Sequence, residues 1–544
     1  NEWTAQMKGA IRADNTNRLL ARMLELAAEQ QPIVLQLEDL HYFDSASLGL
    51  LRVVTGHVPR LLTLATARPL PRPLPKELQT VVSEGSSHQI SLGPLAAEDS
   101  VRMVERVLGA DRLPRPVEEL VRNRPNGQPL YVEELAYALR DTGTVCVVDG
   151  VAKLVGDLDE FEAREVSGSL EGVIINRVDR LPPPEQLTLK VASVVGYEFA
   201  SSLLHDVFPI EKECQHLETH LASLDKSKLI RSVAGDLGAE HSFRNRTLRD
   251  VAYNLVLVKH RTELHAEISA WIETKHAADL DGHFPRLAEH WQLAGNLSRA
   301  IECLEAAGQN ALINNANREA VTFYRKTLEL AEQSSESFDR IREGRWHRKY
   351  GEALYRVGEV PSSMRELRKA LHMLGHADSE SIIGQLIHGN VEMLRQLATR
   401  IRRRFTKVSK TAPSEALLES IRAYERLVEI QYQRTDMPAF LLATFRSLNL
   451  AERYGFSPEL ARCYSNVSAM TSAMMIPKSA DRYTERAKRV AVKAGDRSTT
   501  AYVQTINSVH FIGHGKWEAA RETLDQALEL CTSIGDHRRW SEAT

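Results

Sequence analysis

Cysteine is scarce and scattered in this chain: five in 544 residues, at Cys146, Cys214, Cys303, Cys463 and Cys531, with no close pair. That spacing argues against a zinc site or a disulfide framework. It fits a reducing compartment, so a cytoplasmic protein is expected. An excess of one charge is also lacking. The 69 Lys and Arg against 72 Asp and Glu leave a formal net charge of −3, which supplies no global pull toward nucleic acid or anionic lipid. No apolar run is long enough to span a bilayer, and no secretory signal opens the chain. The first residue is Asn1 rather than Met, and helix-like sequence reaches both ends, so a fragment of something longer is expected.

What is there is the profile of an ordinary soluble protein, 26% charged and 43% hydrophobic. It is too long for one core, and its length suggests roughly three or four domains. The most informative segment is Ile33-Val34-Leu35-Gln36-Leu37-Glu38-Asp39-Leu40-His41. An apolar run ending in two carboxylates reads as a strand buried on both faces of a parallel sheet. Glu38 and Asp39 would then stand at the carboxyl edge, where such sheets bind ligands. Taken alone, the pattern equally fits a buried strand that simply runs into an acidic loop.

Helical spacing covers Asn17 to Glu29, and Gln30-Gln31-Pro32 breaks it before the strand. Asp44 is a plausible N-cap for a helix from Ala46 to Val54. A second apolar run, Leu61 to Arg68, is closed by Pro69, and strand, helix, strand with short joins marks a parallel α/β sheet. Helices are expected over Ala96 to Gly109, Pro116 to Arg124 and Leu130 to Arg140. A hairpin over Val145 to Val155 would turn at Asp149-Gly150. Leu170 to Trp271 reads as small helices with a hairpin near Ile230 to Phe243, which suggests a winged-helix-like module. Beyond His276 the pattern is wholly helical, with small residues where neighbouring helices would touch, as in Tyr355-Gly358-Leu367-Ala370-Leu371. It resembles tetratricopeptide-like helical hairpins of irregular spacing, and an α-solenoid is the natural reading.

Four segments in order carry a family resemblance. Leu35 to Leu48 (LQLEDLHYFDSASL) resembles the Walker B region of STAND-type AAA-related ATPases. Leu62 to Pro69 resembles their sensor strand, which ends in Thr-x-Arg, and Gly127-Gln128-Pro129 the Gly-x-Pro segment of their lid. Ser169 to Phe199 looks most like the ATPase-associated region of class III nucleotide cyclases of the soluble adenylyl cyclase type. The resemblance implies a mainly α chain with an N-terminal α/β part. Residues 1–95 would be part of a P-loop NTPase, 96–165 a helical lid and hairpin, 166–275 the winged-helix-like module and 276–544 the solenoid.

The same resemblance implies ATP and Mg²⁺ as ligands. Glu38 matches the Mg²⁺-side carboxylate and Asp39 the catalytic, water-orienting one. Thr66 and Arg68 match the sensor positions, and Pro129, set by Gly127, would pack against the adenine. The alternatives at these positions are carboxylates that cap a sheet edge, an Arg68 paired with an acidic neighbour such as Asp39, and an ordinary turn. Two departures stand out. The phosphate loop G-x-x-x-x-G-K-[ST] is absent from the sequence and is expected upstream of Asn17. Asn245 occupies a position where many relatives carry His, although Asn can still donate a hydrogen bond.

The expected function is a regulatory nucleotide switch controlling cyclic AMP synthesis by upstream cyclase domains, with a protein partner on the repeats. The alternatives are an ATPase module of a transcription regulator or protein kinase, or a nucleotide-independent scaffold. Weaker clusters are a basic run at Arg400, Arg402, Arg403, Arg404, Lys407 and Lys410, read as a solvated helix end, and His216 with His220, read as surface residues. His41 is read either as a packed histidine or as a phosphate contact. The sequence displays no Ser/His/Asp or Cys/His arrangement with supporting context.

Overall fold

The computed structural model describes residues 10–70, 74, 76–83, 87–123, 127–164, 169–233, 240–376, 381–403, 414–534 and 540. The chain divides into two compact units, Asn1–Ser87 with Ile301–Thr544, and His88–Ala300.

The first unit opens with α1 (Ala10–Gln30), β1 (Ile33–Leu37), α2 (Ser45–His57), β2 (Leu61–Ala65) and α3 (Lys76–Ser83). β1 and β2 pair in parallel, Ile33 opposite Leu61 through Leu37 opposite Ala65. Arg60 enters the left-handed region at φ 55°, and its carbonyl accepts from Ile33 N–H at 3.0 Å, which sets the register. Asp44 is the expected cap, its carboxylate accepting from Ser47 N–H at 2.6 Å. The strand is not buried on both faces, and that expectation is corrected here. Ile33, Leu35, Leu37 and Leu61 pack against Ala28, Val54, Leu40 and Leu51 on one side. Val34, Leu62 and Leu64 on the other side are 62%, 55% and 52% exposed. Alternate residues of a strand point to opposite faces, and among the described residues only one face of this two-stranded pair is packed against helices.

The second unit begins with α4 (Ala97–Leu108), α5 (Arg115–Asn123) and α6 (Pro129–Asp141), closed around Val104, Val117, Leu135 and Leu139. The expected hairpin forms from β3 (Val145–Val148) and β4 (Val151–Leu154). It turns on Asp149 and Gly150, both at positive φ. After α7 (Leu158–Arg164) come α8 (Leu170–Asp179), α9 (Pro183–Val195), β5 (Glu198–Phe199), α10 (Ser201–Asp206), α11 (Glu211–Cys214), α12 (Leu217–Lys226), β6 (Ile230–Ser232), β7 (His241–Phe243), α13 (Arg246–Asn254), α14 (Val258–Lys275) and α15 (Phe284–Leu293). The antiparallel sheet of order β5-β7-β6 beside these helices is the winged-helix-like module, sealed by Phe199 and Phe243. The tip of the β6–β7 hairpin lies outside the described residues.

The remaining helices belong to the solenoid, built of tetratricopeptide-like hairpins: α16 (Leu297–Ile313) with α17 (Asn317–Gln333), α18 (Arg340–Val357) with α19 (Val360–Met373), then α20 (Ile382–Arg403), then α21 (Glu415–Gln433) with α22 (Met437–Tyr454), α23 (Pro458–Ala473) with α24 (Pro477–Ala494), and α25 (Arg497–Gly513) with α26 (Trp517–Ile534). Each hairpin turns through one left-handed residue, in order Asn315, Gly358, Thr435, Met475 and Gly515. Only two of the five are glycine, so the turn is regular in space but irregular in sequence. A polar ladder links successive hairpins. Arg342 reaches Glu305, Arg422 reaches Glu459 and Arg462 reaches Thr499, each across 37 residues. Arg426 reaches Glu352 across 74, so α18 hands on directly to α21 and α20 stands outside the ladder. Arg404, Lys407 and Lys410 of the basic run lie outside the described residues.

Candidate functional site

The loop leaving β1 is fastened to the end of β2 by one residue, Thr66. Its N–H donates to Leu37 O at 2.9 Å, its carbonyl accepts from Leu40 N–H at 2.8 Å, and its hydroxyl accepts from Asp39 N–H at 3.2 Å. Asp39 takes up a left-handed backbone, φ 55° and ψ 44°, which Asp tolerates better than most residues. That twist ends the strand and starts the short 3₁₀ turn Leu40–Tyr42. Glu38 and Asp39 are both exposed, and Glu38 accepts from Gln36 Nε2 at 3.0 Å. Arg68 is exposed too, and it does not pair with Asp39 among the described residues. Its N–H donates to Nδ1 of His41 at 3.3 Å. His41 is therefore a packed histidine, its Nδ1 an acceptor and its buried Nε2 without a partner among the described residues.

These four residues, Glu38, Asp39, Thr66 and Arg68, come together at one strand edge. Gly127 and Pro129 belong to the other unit. Gly127 is held at φ 44°, and a Cβ there would run into the carbonyl oxygen of Leu95, whose N–H donates to Gly127 O at 2.7 Å. Local backbone packing thus accounts for the glycine. Pro129 is exposed in the first turn of α6, where its fixed φ suits a helix start and its missing N–H costs nothing. Among the described residues no group of three or more His, Cys, Asp or Glu is placed to hold a metal by itself. A cation at Glu38 would need further oxygens, as Mg²⁺ commonly takes from a bound phosphate.

Asn245 is engaged at both ends of its amide inside the second unit. Its Oδ1 accepts from Leu248 N–H at 2.8 Å as the cap of α13, and its Nδ2 donates to Glu134 at 3.0 Å. One N–H and one lone pair of its amide thus go to the fold. Glu134, 1% exposed on α6, also receives Nη1 of Arg177, 3% exposed on α8. Arg177 reaches Asp141 at 3.1 Å and Ser227 O at 2.6 Å. Burial pushes the Glu134 carboxyl above its ordinary pKa, against the pull of Arg177. No sequence spacing signals this network, because its members come from four segments.

A second buried cluster lies between α14 and α15. His265 Nδ1 and His290 Nδ1 are 2.8 Å apart, and Tyr253 Oη is 3.0 Å from His265 Nε2. Desolvation and the nearby Arg249, Arg261 and Arg286 hold His265 down at about 4 and His290 at about 3. Both rings are neutral at ordinary pH, one donating to the other. His220, expected at the surface, is 11% exposed and lies 3.2 Å from Thr188 Oγ1; α12 turns it inward, while His216 stays outside.

The structure does assemble one Ser/His/Asp line. Buried His510 has Nδ1 3.1 Å from Ser472 Oγ and Nε2 2.9 Å from Asp481. Lys516 donates to the same Asp481 oxygen at 3.0 Å. Ser472, however, lies in the last turn of α23, where carbonyls rather than N–H groups are unpaired. That end of a helix offers no donors to an oxyanion, so the line is a packing network.

No family model matches the chain. It is 23% identical over 340 residues to an uncharacterized protein of Rhizobium meliloti (strain 1021), a match covering 60% of this chain and 31% of that one. The chain thus spans about a third of the relative's length. Among solved structures, it is similar to a Signal Transduction ATPase with Numerous Domains carrying a tetratricopeptide repeat sensor, from Pyrococcus horikoshii. That likeness has a TM-score of 0.36 and 13% identity over 97% of this chain and 72% of that one. BtubC of P. vanneervenii gives a TM-score of 0.33 and 13% identity over 51% and 92%. At such scores these likenesses carry no argument, and the fold rests on the geometry described above. No described helix is long and apolar enough to cross a membrane.

Proposed function

We propose that this chain is a regulatory nucleotide-binding module of the STAND type, in which Mg²⁺-ATP binds at the β1–β2 edge and the helical repeats receive a protein partner. The observation that carries this reading is the gathering of Glu38, Asp39, Thr66 and Arg68 at one strand edge, with both carboxylates and the guanidinium exposed. Glu38 would hold Mg²⁺, Asp39 would orient a water, and the Thr66 hydroxyl and Arg68 would meet the terminal phosphate. The open apolar face at Val34, Leu62 and Leu64 supports the reading, since the crossover helices of a larger parallel sheet would cover it. The phosphate loop motif is not in this sequence, so ATP affinity of these 544 residues alone is weak. On the resemblance at Ser169 to Phe199, the controlled output is cyclic AMP synthesis by cyclase domains elsewhere in the same polypeptide.

The test is Mg²⁺-ATP binding and turnover in the natural-length protein. Glu38→Gln should lower Mg²⁺-dependent affinity, and Asp39→Asn should abolish turnover while sparing binding. Unchanged binding and turnover in both variants would leave the repeats as a scaffold without a nucleotide switch.

A further inference from the structure

Helix α20 is turned inside out. Its polar side chains face the repeats: Gln385, Glu392 and Gln396 are only 7%, 8% and 2% exposed. Glu392 accepts from Asn449 Nδ2 at 2.8 Å across to α22. Its large apolar side chains face outward instead. Ile383, Leu386, Ile387, Leu394 and Leu397 are between 45% and 72% exposed. At the helical repeat of 3.6 residues, these five and Asn390 share a sector about 100° wide, opposite Glu392. A single exposed leucine needs no explanation, but a continuous stripe does. It amounts to on the order of 500 Å² of apolar surface, comparable with the largest patch of a typical monomer.

Part of the stripe is symmetric about Asn390, although Ile387 has Met393, packed against the core, as its mirror position. Ile383 and Leu397 stand seven residues either side of Asn390, and Leu386 and Leu394 stand four either side. Asn390 is itself exposed and donates one N–H to Leu386 O at 2.8 Å. We infer that α20 is the contact helix of a homodimer, pairing antiparallel with α20 of a second copy about a two-fold axis at Asn390. Ile383 then packs on the partner's Leu397 and Leu386 on the partner's Leu394, while the two Asn390 side chains meet at the centre. One polar residue in an apolar seam fixes register and orientation. A two-fold axis sets position i against j and j against i, so these matched pairs let apolar side chains meet apolar ones across it, a match that a lipid surface does not call for. Two such faces bury about 1,000 Å² with each other, enough for a specific if modest dimer.

Sedimentation equilibrium of the full chain tests this, with folding followed by circular dichroism. The wild type should dimerise reversibly, and Ile383→Lys or Leu397→Glu alone should weaken the dimer at least about tenfold. Both changes in one chain place opposite charges face to face across the axis and should restore it. Asn390→Cys should form a disulfide dimer on oxidation that the wild type does not form. A wild type that stays monomeric at about 100 μM overturns the inference, whether the face then binds anionic vesicles or nothing. So does a dimer unaffected by both single changes, or a double variant that fails to recover.

Discussion

Ser45 and Glu319 lie 274 positions apart in sequence, yet Ser45 donates both its backbone N–H, at 2.7 Å, and its hydroxyl to the Glu319 carboxylate. Ser45 opens α2, directly after the loop that carries Glu38 and Asp39. Glu319 stands in the first turn of α17. One carboxylate therefore faces the positive ends of two helices and ties the strand-edge loop to the first repeat hairpin. Glu319→Ala should cost about 1–2 kcal/mol and Glu319→Gln less, since an amide oxygen still accepts. Urea unfolding checks this, and hydrogen exchange at the Ser45 amide should quicken in step.

The Arg177–Glu134 pair carries a larger penalty. Both side chains are buried, and Arg177→Met would strand Glu134 without its cation, at roughly 3–5 kcal/mol. Adding Glu134→Leu should recover a substantial part, because the uncompensated charge goes with it. A double-mutant cycle by denaturant unfolding measures the coupling.

Acid should act through His265 and His290. Their folded pKa values, about 4 and about 3, lie below the ordinary 6.5. Between pH 6.5 and pH 4 the unfolded chain binds protons that the folded chain refuses. Their stabilisation is therefore complete above pH 6.5 and is lost as pH falls, down to about 4 for His265 and about 3 for His290. The slope is up to about 1.4 kcal/mol per pH unit for each proton. His290→Gln should flatten the stability curve between pH 6.5 and 4, while changing little of its shape above pH 7.

At the crossing of α18 and α19, a Cβ on Gly351 would stand 2.8 Å from Leu367 Cγ, and buried Ser363 donates to Gly351 O at 2.7 Å. Gly351→Ala should cost about 1–3 kcal/mol by overpacking. In the left-handed turns the opposite sign is expected. Thr435→Gly should stabilise slightly, because only glycine takes that backbone without strain. Thermal unfolding of the two variants separates the effects.

The parallel pair, the Asp44 cap, the Asp149-Gly150 hairpin and the helical-repeat region were legible in the sequence. Each is written in local spacing and turn chemistry. The strand's open face was not, because an apolar run does not record which faces of its strand a helix covers. The solenoid's regularity was hidden by the mixed residues at Asn315, Gly358, Thr435, Met475 and Gly515. Of the candidate site, the sequence singled out Glu38, Asp39, Thr66 and Arg68, but not the Thr66 fastening or Glu319. The His265–His290 and Glu134–Arg177 pairs escaped for the same reason: partners brought together only by tertiary packing leave no periodic trace.

The central claim is that the β1–β2 edge is a magnesium-nucleotide site. Calorimetric titration of ATP into the natural-length protein, with and without Mg²⁺, tests it most directly when run beside Arg68→Ala. The account predicts Mg²⁺-dependent binding that Arg68→Ala weakens about tenfold or more for ATP and little for ADP, since the guanidinium would meet only the terminal phosphate. Equal affinities for wild type and Arg68→Ala, or binding indifferent to Mg²⁺, would contradict it.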